Sequence, residues 1–147
     1  MSSSDIVEIE QLLYRYCFAV DSGSPEDVAA LFSETAVLRP VYSGEPPAIG
    51  RAAILAWYVT YQRNARGAVD HLRHVVTNPV IEVSGDRATA QCYLTANSVS
   101  KASGKAVWSA GSYKDKLVRE ANRWLFAERE IHVQYATESQ MLQSGER

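Results

Sequence analysis

An excess of charge of either sign is missing from this sequence. Its 15 lysine and arginine side chains nearly balance 17 aspartates and glutamates, which leaves a net charge of −2. Domains that bind nucleic acid or anionic membranes usually carry a clustered basic excess. We therefore expect neither nucleic acid nor a membrane surface as a partner.

Cysteine is scarce as well, and the two present are Cys17 and Cys92. Each lies in an apolar run, which favours two reduced, buried thiols over a disulfide between them and indicates a cytoplasmic protein. The first residues have neither the basic region nor the apolar core of a signal peptide. The apolar runs extend over only a few residues, so no membrane span is expected.

Several catalytic motifs are missing too. The sequence has no glycine-rich phosphate loop, no Gly-x-Ser-x-Gly elbow and no His-Glu-x-x-His pair. His71 and His74 are three residues apart, but a strand turns such side chains to opposite faces, and no third ligand is adjacent. We predict that the protein uses neither a metal nor another cofactor.

Apolar residues, by contrast, make up 46% of the 147 positions. That share suffices for a single domain over 1–147, with a core at about 5–135 and a polar tail at 137–147. In the first half of the chain they recur at helical spacing, and Ser24-Pro25 has the residue types of a helix start. The pattern predicts helices over residues 4–21, 25–32 and 51–64, a short strand at 36–40 and a loop at 41–49.

After residue 67 the apolar period changes from 3.6 to 2, which is typical of strands. Alternation places Cys92 and Leu94 on one face of a strand and Tyr93 on the other. A kink or bulge is expected at Asn78-Pro79. Strands are predicted over residues 72–76, 80–83, 87–100, 106–118 and 123–135. The sequence thus begins with helices and continues with an antiparallel meander of strands. This order predicts an α+β fold, with the helices on one face of a curved sheet.

Two consecutive strand segments carry a family resemblance. Gly111-Ser-Tyr113-Lys-Asp115, followed by Arg123-Trp124-Leu-Phe126, is similar to strands of the nuclear transport factor 2-like superfamily. The likeness covers about residues 5–135. It implies a cone-shaped barrel in which a curved antiparallel sheet wraps around three N-terminal helices. It also implies a homodimer that forms through the outer face of the sheet.

Within that superfamily the chain most resembles the SnoaL-like group, which includes polyketide cyclases, scytalone dehydratase, bile acid 7α-dehydratase and hexachlorocyclohexane dehydrochlorinase. Lyases of this group use an acid at the end of the first helix and a histidine on the first long strand that follows the third helix. Asp21 matches the acid, His74 the histidine, and Tyr16 a tyrosine of the bile acid enzyme. The resemblance implies a cofactor-independent lyase or isomerase, of dehydratase or cyclase type, that acts on an apolar cyclic small molecule.

Asp21 and His74 are the residue types of an acid/base pair. A neutral histidine accepts a proton near neutral pH, and a carboxylate bonded to its other ring nitrogen orients the ring. The simpler interpretation is that Asp21 ends its helix and that His74 is a core histidine. Regular alternation turns His71 and His74 to opposite faces of the strand. His74 shares its face with Leu72 and Val76, whereas His71 begins the strand, so His74 is the preferred base.

Two tyrosines compete as the hydrogen-bond donor beside Asp21. At ~100° per helical residue, Tyr14 and Cys17 lie within about 40° of Asp21, whereas Tyr16 lies about 140° away. Helix geometry therefore favours Tyr14, the family resemblance favours Tyr16, and both stay candidates. Cys17 is predicted to line the pocket rather than to act as a nucleophile, because a buried thiol is usually inert.

Five further side chains are predicted to bind substrate, with core packing as the alternative: Trp57, Tyr61, Tyr93, Trp108 and Arg129. A buried Arg129 needs an acid or an anionic ligand, and an ion pair with a neighbouring glutamate is the preferred explanation. The loop at 42–47 is expected to cross the mouth of the cone as a lid. The alternative functions are a non-catalytic binding or dimerisation module and a partner subunit like the β subunit of ring-hydroxylating dioxygenases.

Overall fold

The computed structural model of the protein describes residues 3–140. The rest of the predicted polar tail, residues 141–147, lies outside the described residues. The α-helices are α1 (Ser3–Ser22), α2 (Pro25–Ala29) and α3 (Arg51–Asn64). The strands are β1 (Phe32–Pro40), β2 (Ala48–Ile49), β3 (Val69–Ser84), β4 (Arg87–Ser100), β5 (Ala106–Glu120) and β6 (Arg123–Ser139). This order confirms the predicted α+β class.

The helices begin and end for local reasons, with one difference from the prediction. Ser24 accepts a hydrogen bond from the Asp27 amide, and the Asp27 side chain accepts one from the Ser24 amide, so a capping box starts α2. The predicted end of α2 at residue 32 is wrong, since the helix stops at Ala29. Phe32 instead begins β1, where it is fully buried and pairs with Phe126.

Within residues 3–140 the strands form one sheet in the order β2-β1-β6-β5-β4-β3. The antiparallel meander of β3 to β6 is as predicted. The expectation of a wholly antiparallel sheet is wrong at one place, because β1 runs parallel to β6. The two strands are far apart in the chain, so no hairpin forces them to be antiparallel.

Two irregularities bend β3, which is one strand rather than the two predicted segments. Asn78 has a φ of 57° in a register shift between Thr77 and Val80, so the predicted bulge is present. A second shift surrounds His71, which has a φ of 58°. Bulges increase the local bend and twist of a strand. They help the sheet to curve around the helices.

The inner face of the curved sheet holds the core, and α1 lies across it in contact with β3 and β6. Tyr16 of α1 is at the centre, with edge-to-face ring contacts to Phe32, Tyr58, Tyr113 and Phe126. Among the described helices, none is both long and apolar enough to cross a membrane.

Gly111 is expected to tolerate no side chain. A Cβ atom there would lie 1.9 Å from the carbonyl oxygen of His132, which is part of a paired strand and cannot move away freely. We expect Gly111→Ala to lower the free energy of unfolding by about 1–3 kcal/mol or more, as overpacking does. Urea denaturation measures this value. Gly67→Ala is the control, because a Cβ there would be 3.3 Å from the nearest atom, and equal losses for both variants would contradict the prediction.

Candidate active site

Asp21 and His74 are in direct contact, as predicted. The Asp21 Oδ1 atom lies 2.6 Å from His74 Nδ1, and Oδ2 accepts the His74 backbone N–H at 2.9 Å. The second contact is available because β3 is an edge strand, so part of its backbone faces α1 rather than another strand. With both oxygens engaged and side-chain exposures of only 12% and 10%, the pair has a fixed geometry.

This contact determines which ring nitrogen is available for chemistry. An ionised carboxylate only accepts hydrogen bonds, so the proton of a neutral His74 ring belongs on Nδ1. The lone pair is then on Nε2. His74 lines a cavity, whereas Asp21 is not among the residues that line it. The arrangement can therefore accept a proton from a molecule in the cavity.

His71 lies apart from this pair. It is exposed, and its positive φ belongs to the bulge at the start of β3. His74 lines the cavity, whereas His71 is not among the residues that line it. In the described part of the chain, no three His, Cys, Asp or Glu side chains come close enough together to hold a metal ion.

The cavity lies between the helices and the inner face of the sheet, and it has a volume of about 250 Å³. Aromatic side chains form much of its wall: Tyr16, Tyr42, Trp57, Tyr58, Tyr61 and Tyr113. Aliphatic residues such as Leu72, Leu94 and Ile131 complete the wall. Besides the tyrosines and Trp57, the polar side chains on it are those of His74, Ser98 and Ser109.

The structure places Tyr16, and not Tyr14, in the cavity wall. Tyr16 is 1% exposed, and its hydroxyl is in hydrogen-bond contact with that of Tyr58. Burial raises the pKa of Tyr16 to about 12, so the phenol stays protonated and can donate a hydrogen bond. Tyr14 is close to Asp21 around the helix axis, but Asp21 points at His74 and does not line the cavity. Proximity to Asp21 therefore does not place Tyr14 in the cavity wall.

Cys17 is buried beside Tyr16 but does not reach the cavity wall. The prediction that Cys17 lines the pocket is therefore corrected. Both cysteines are free. Burial raises the pKa of the Cys17 thiol to about 12 and that of Cys92 to about 11, so neither is a good nucleophile at neutral pH.

Aromatic residues of α3 form part of the cavity wall, and the predicted binding of substrate by Trp57 and Tyr61 stays a prediction. The rings of Trp57 and Tyr61 are stacked, with centroids 5.6 Å apart, and both line the cavity. Trp57 Nε1 donates a hydrogen bond of 3.0 Å to the Glu45 carboxylate, which ties the loop between β1 and β2 to α3. Tyr42 of that segment lines the cavity. Movement of the loop as a lid stays a prediction.

Tyr93 and Trp108 are on the opposite side of the sheet from the cavity. They are 64% and 46% exposed, whereas their chain neighbours Leu94 and Val107 line the cavity. Strand alternation sends adjacent side chains to opposite faces. The prediction that these two aromatic residues line the pocket is corrected accordingly.

Arg129 is fully buried beneath the cavity and is not part of its wall. Its Nε and Nη2 atoms donate to the two carboxylate oxygens of Asp115 at 2.7 and 2.9 Å. The predicted partner, a neighbouring glutamate, is thus replaced by an aspartate on the adjacent strand. Burial opposes the charge of Arg129, but the facing carboxylate keeps its pKa well above the ordinary value.

A comparison with known protein families decides which family this is. Residues 1–130 match the SnoaL-like domain. The chain belongs to the SnoaL-like family. The match extends over most of the sequence, from α1 into β6, so it includes both members of the Asp21–His74 pair. No curated protein matches this SnoaL-like chain in sequence.

Solved structures share the fold of this SnoaL-like protein. A Novosphingobium aromaticivorans protein provisionally named an aromatic ring hydroxylase is 25% identical, with 95% of this chain and 96% of that chain covered and a TM-score of 0.80. A second protein from that organism, provisionally named a scytalone dehydratase, is 23% identical over 95% and 90%, with a TM-score of 0.78. A type 2 hexachlorocyclohexane dehydrochlorinase is 17% identical over 97% and 95%, with a TM-score of 0.78.

Proposed function

We propose that this SnoaL-like protein is a cofactor-independent lyase or isomerase that removes a proton from a small cyclic substrate. The observation that carries the proposal is the hydrogen bond between Asp21 and His74, a residue that lines an aromatic cavity. Two of the similar folds belong to proteins whose names describe a dehydratase and a dehydrochlorinase, which supports lyase chemistry.

His74 acts as the general base in this proposal. Its Nε2 atom accepts a proton from a carbon next to a carbonyl group, and the C–H electron pair moves towards the carbonyl oxygen. The phenol of Tyr16 donates a hydrogen bond to that oxygen as its negative charge develops. Asp21 remains ionised and stabilises the imidazolium that forms. A leaving group then departs in a lyase, or the proton returns at another carbon in an isomerase.

The cavity favours a neutral molecule of one or two rings. Its volume of about 250 Å³ is below the ~300–1,000 Å³ of pockets that hold drug-sized ligands. Among the described residues, the wall contains no lysine, arginine, aspartate or glutamate that could pair with a charged substrate. Among apolar cyclic molecules, the predicted substrate class, this size favours the smallest members.

Solvent deuterium exchange tests the proposal even while the natural substrate is unidentified. A panel of one- and two-ring ketones is incubated in D₂O with the protein, and loss of the α-proton signals is followed by NMR. Exchange faster than in buffer, together with any elimination or isomerisation product, is the expected result. Exchange at the buffer rate across the whole panel would support a non-catalytic binding module instead.

A second candidate is a partner subunit of a ring-hydroxylating enzyme. The similarity to the provisionally named aromatic ring hydroxylase favours it. Such a role requires a large partner chain, and it gives the Asp21–His74 contact no chemical task. The exchange assay on the isolated chain separates the two candidates, since a partner subunit alone has no reason to accelerate proton loss.

We further propose that two copies of the chain associate through the outer sheet face. This face exposes Tyr93, Trp108 and Tyr135 on three adjacent strands. Exposed aromatic clusters of this kind commonly mark interaction surfaces.

Light scattering coupled to gel filtration is expected to give twice the chain mass of 16.3 kDa for the wild type. Trp108→Glu is expected to give the single-chain mass, because a charge would be placed in the contact. Val7→Glu, at an exposed position of α1, is the control that should leave the mass unchanged. A monomeric wild type, or a Trp108→Glu variant that keeps the doubled mass, would contradict this proposal.

A further inference from the structure

The hydroxyls of Tyr16 and Tyr58 form a pair in the cavity wall. They are in hydrogen-bond contact with each other, and both tyrosines are almost completely buried. Burial raises the pKa of both phenols, so both remain protonated at neutral pH. Two hydroxyls carry two protons, and their mutual hydrogen bond uses one of them. The other proton can be donated to an oxygen atom in the cavity.

A buried positive charge lies directly behind this pair. The Arg129 Cζ atom is 4.2 Å from the centroid of the Tyr16 ring and 3.8 Å from that of Tyr113. Two of its nitrogen atoms are held by Asp115, while Nη1 has no hydrogen-bond partner among the described residues. The guanidinium is therefore fixed in place, with its third nitrogen and its charge directed at aromatic rings rather than at an acid.

A cation against a phenol ring stabilises negative charge on the hydroxyl oxygen and on any acceptor that shares its proton. The charge of Arg129 accordingly works against the rise that burial causes in the Tyr16 pKa. The hydroxyl thus becomes a stronger hydrogen-bond donor than a phenol buried among apolar groups alone. This effect needs no contact between Arg129 and the ligand.

We propose that Tyr58 and Tyr16 together form a site for a negatively charged or developing oxygen of the substrate, an enolate or phenolate. Arg129 is the positioning residue that holds and polarises Tyr16 from behind the cavity wall. The inference rests on the proposed function, because it names the site that holds the substrate oxygen while His74 removes the proton. Tyr58 thus joins Tyr16, the hydrogen-bond donor already proposed, in binding the substrate oxygen.

Two probes that differ by a single oxygen test the site. The dissociation constants of 4-nitrophenol and nitrobenzene are measured by calorimetry for the wild type and its variants. The wild type is expected to prefer 4-nitrophenol, and Tyr58→Phe is expected to reduce that preference about tenfold, the effect of one hydrogen bond to a charged group. Tyr14→Phe is the matched control, since its hydroxyl is outside the cavity, and it should keep the wild-type preference.

The contribution of Arg129 needs a variant that still folds. Arg129→Met combined with Asp115→Leu removes both buried charges at once, which proteins often tolerate, and thermal unfolding verifies the fold. We expect the preference for 4-nitrophenol to fall about tenfold while the nitrobenzene affinity stays within twofold. The absorption spectrum of the bound probe should also shift towards the neutral phenol, a change that a purely structural role of Arg129 would not produce.

Other outcomes overturn the inference. If Tyr58→Phe keeps the wild-type preference, or if Ser109→Ala removes it instead, the oxygen lies elsewhere in the cavity. If the double variant keeps both the preference and the spectrum, Arg129 has no role in the site. In these cases the assignment of His74 as the base still stands. If the wild type binds neither probe, the inference fails, whereas the proposed function still depends on the exchange assay with ketones.

Discussion

His74→Ala is expected to slow the exchange of substrate α-protons by about 10²–10⁴-fold, the usual contribution of a general base. The ring of His74 is the group on the cavity wall with an unprotonated nitrogen, because Nδ1 is held by Asp21 at 2.6 Å. Alanine removes that acceptor and leaves the backbone N–H that Asp21 also binds. NMR measurement of exchange rates, at matched protein concentration, gives the value.

Asp21→Asn should cause a loss of similar size for a different reason. An asparagine amide N–H can donate a hydrogen bond to Nδ1, which favours the tautomer with the ring proton on Nε2 and so blocks the base. His71→Ala is the matched control, since His71 is on the same strand but exposed outside the cavity. Unchanged exchange in His74→Ala, or an equal loss in His71→Ala, would show that the pair is not the base.

Asp115→Asn is expected to lower the free energy of unfolding by about 3–5 kcal/mol, as the loss of one member of a buried ion pair usually does. Arg129 is 0% exposed and would keep its charge without the carboxylate that accepts two of its hydrogen bonds. Urea denaturation followed by circular dichroism measures the change.

The ion pair between the exposed Lys116 and the half-buried Glu128 provides the comparison. The Lys116 side chain is 71% exposed and lies 3.4 Å from the Glu128 carboxylate. Exposed pairs contribute about 0–1 kcal/mol, so Lys116→Ala should change little. A loss in Asp115→Asn no larger than that in Lys116→Ala would mean that the buried pair is not needed for stability.

The α+β class and the Asp21–His74 contact were predictable, but from different sources. The change of apolar period near residue 67 indicates helices followed by strands, whatever the family. The contact joins residues 53 positions apart, and only the family resemblance brought them together. Alternation along β4 already placed Tyr93 on the face opposite Leu94, so its misassignment to the pocket was avoidable from the sequence.

Other features depend on long-range packing that local patterns do not contain. The parallel pairing of β1 with β6 and the early end of α2 both follow from the burial of Phe32 against Phe126. The partner of Arg129 depends on the register of β5 against β6, including a shift between Lys116 and Leu117. Tyr58 is a buried residue of α3, and nothing in its spacing along the sequence separates a core ring from a cavity hydroxyl.

The tautomer of the His74 ring tests the central claim most directly. Correlations between the ring protons and the two ring nitrogens of ¹⁵N-labelled protein show which nitrogen carries the proton in the neutral state. We predict a protonated Nδ1 and an unprotonated Nε2 in the wild type, with the opposite assignment in Asp21→Asn. A wild-type ring protonated on Nε2 would contradict the account, because the cavity would then face a donor where the chemistry needs a base.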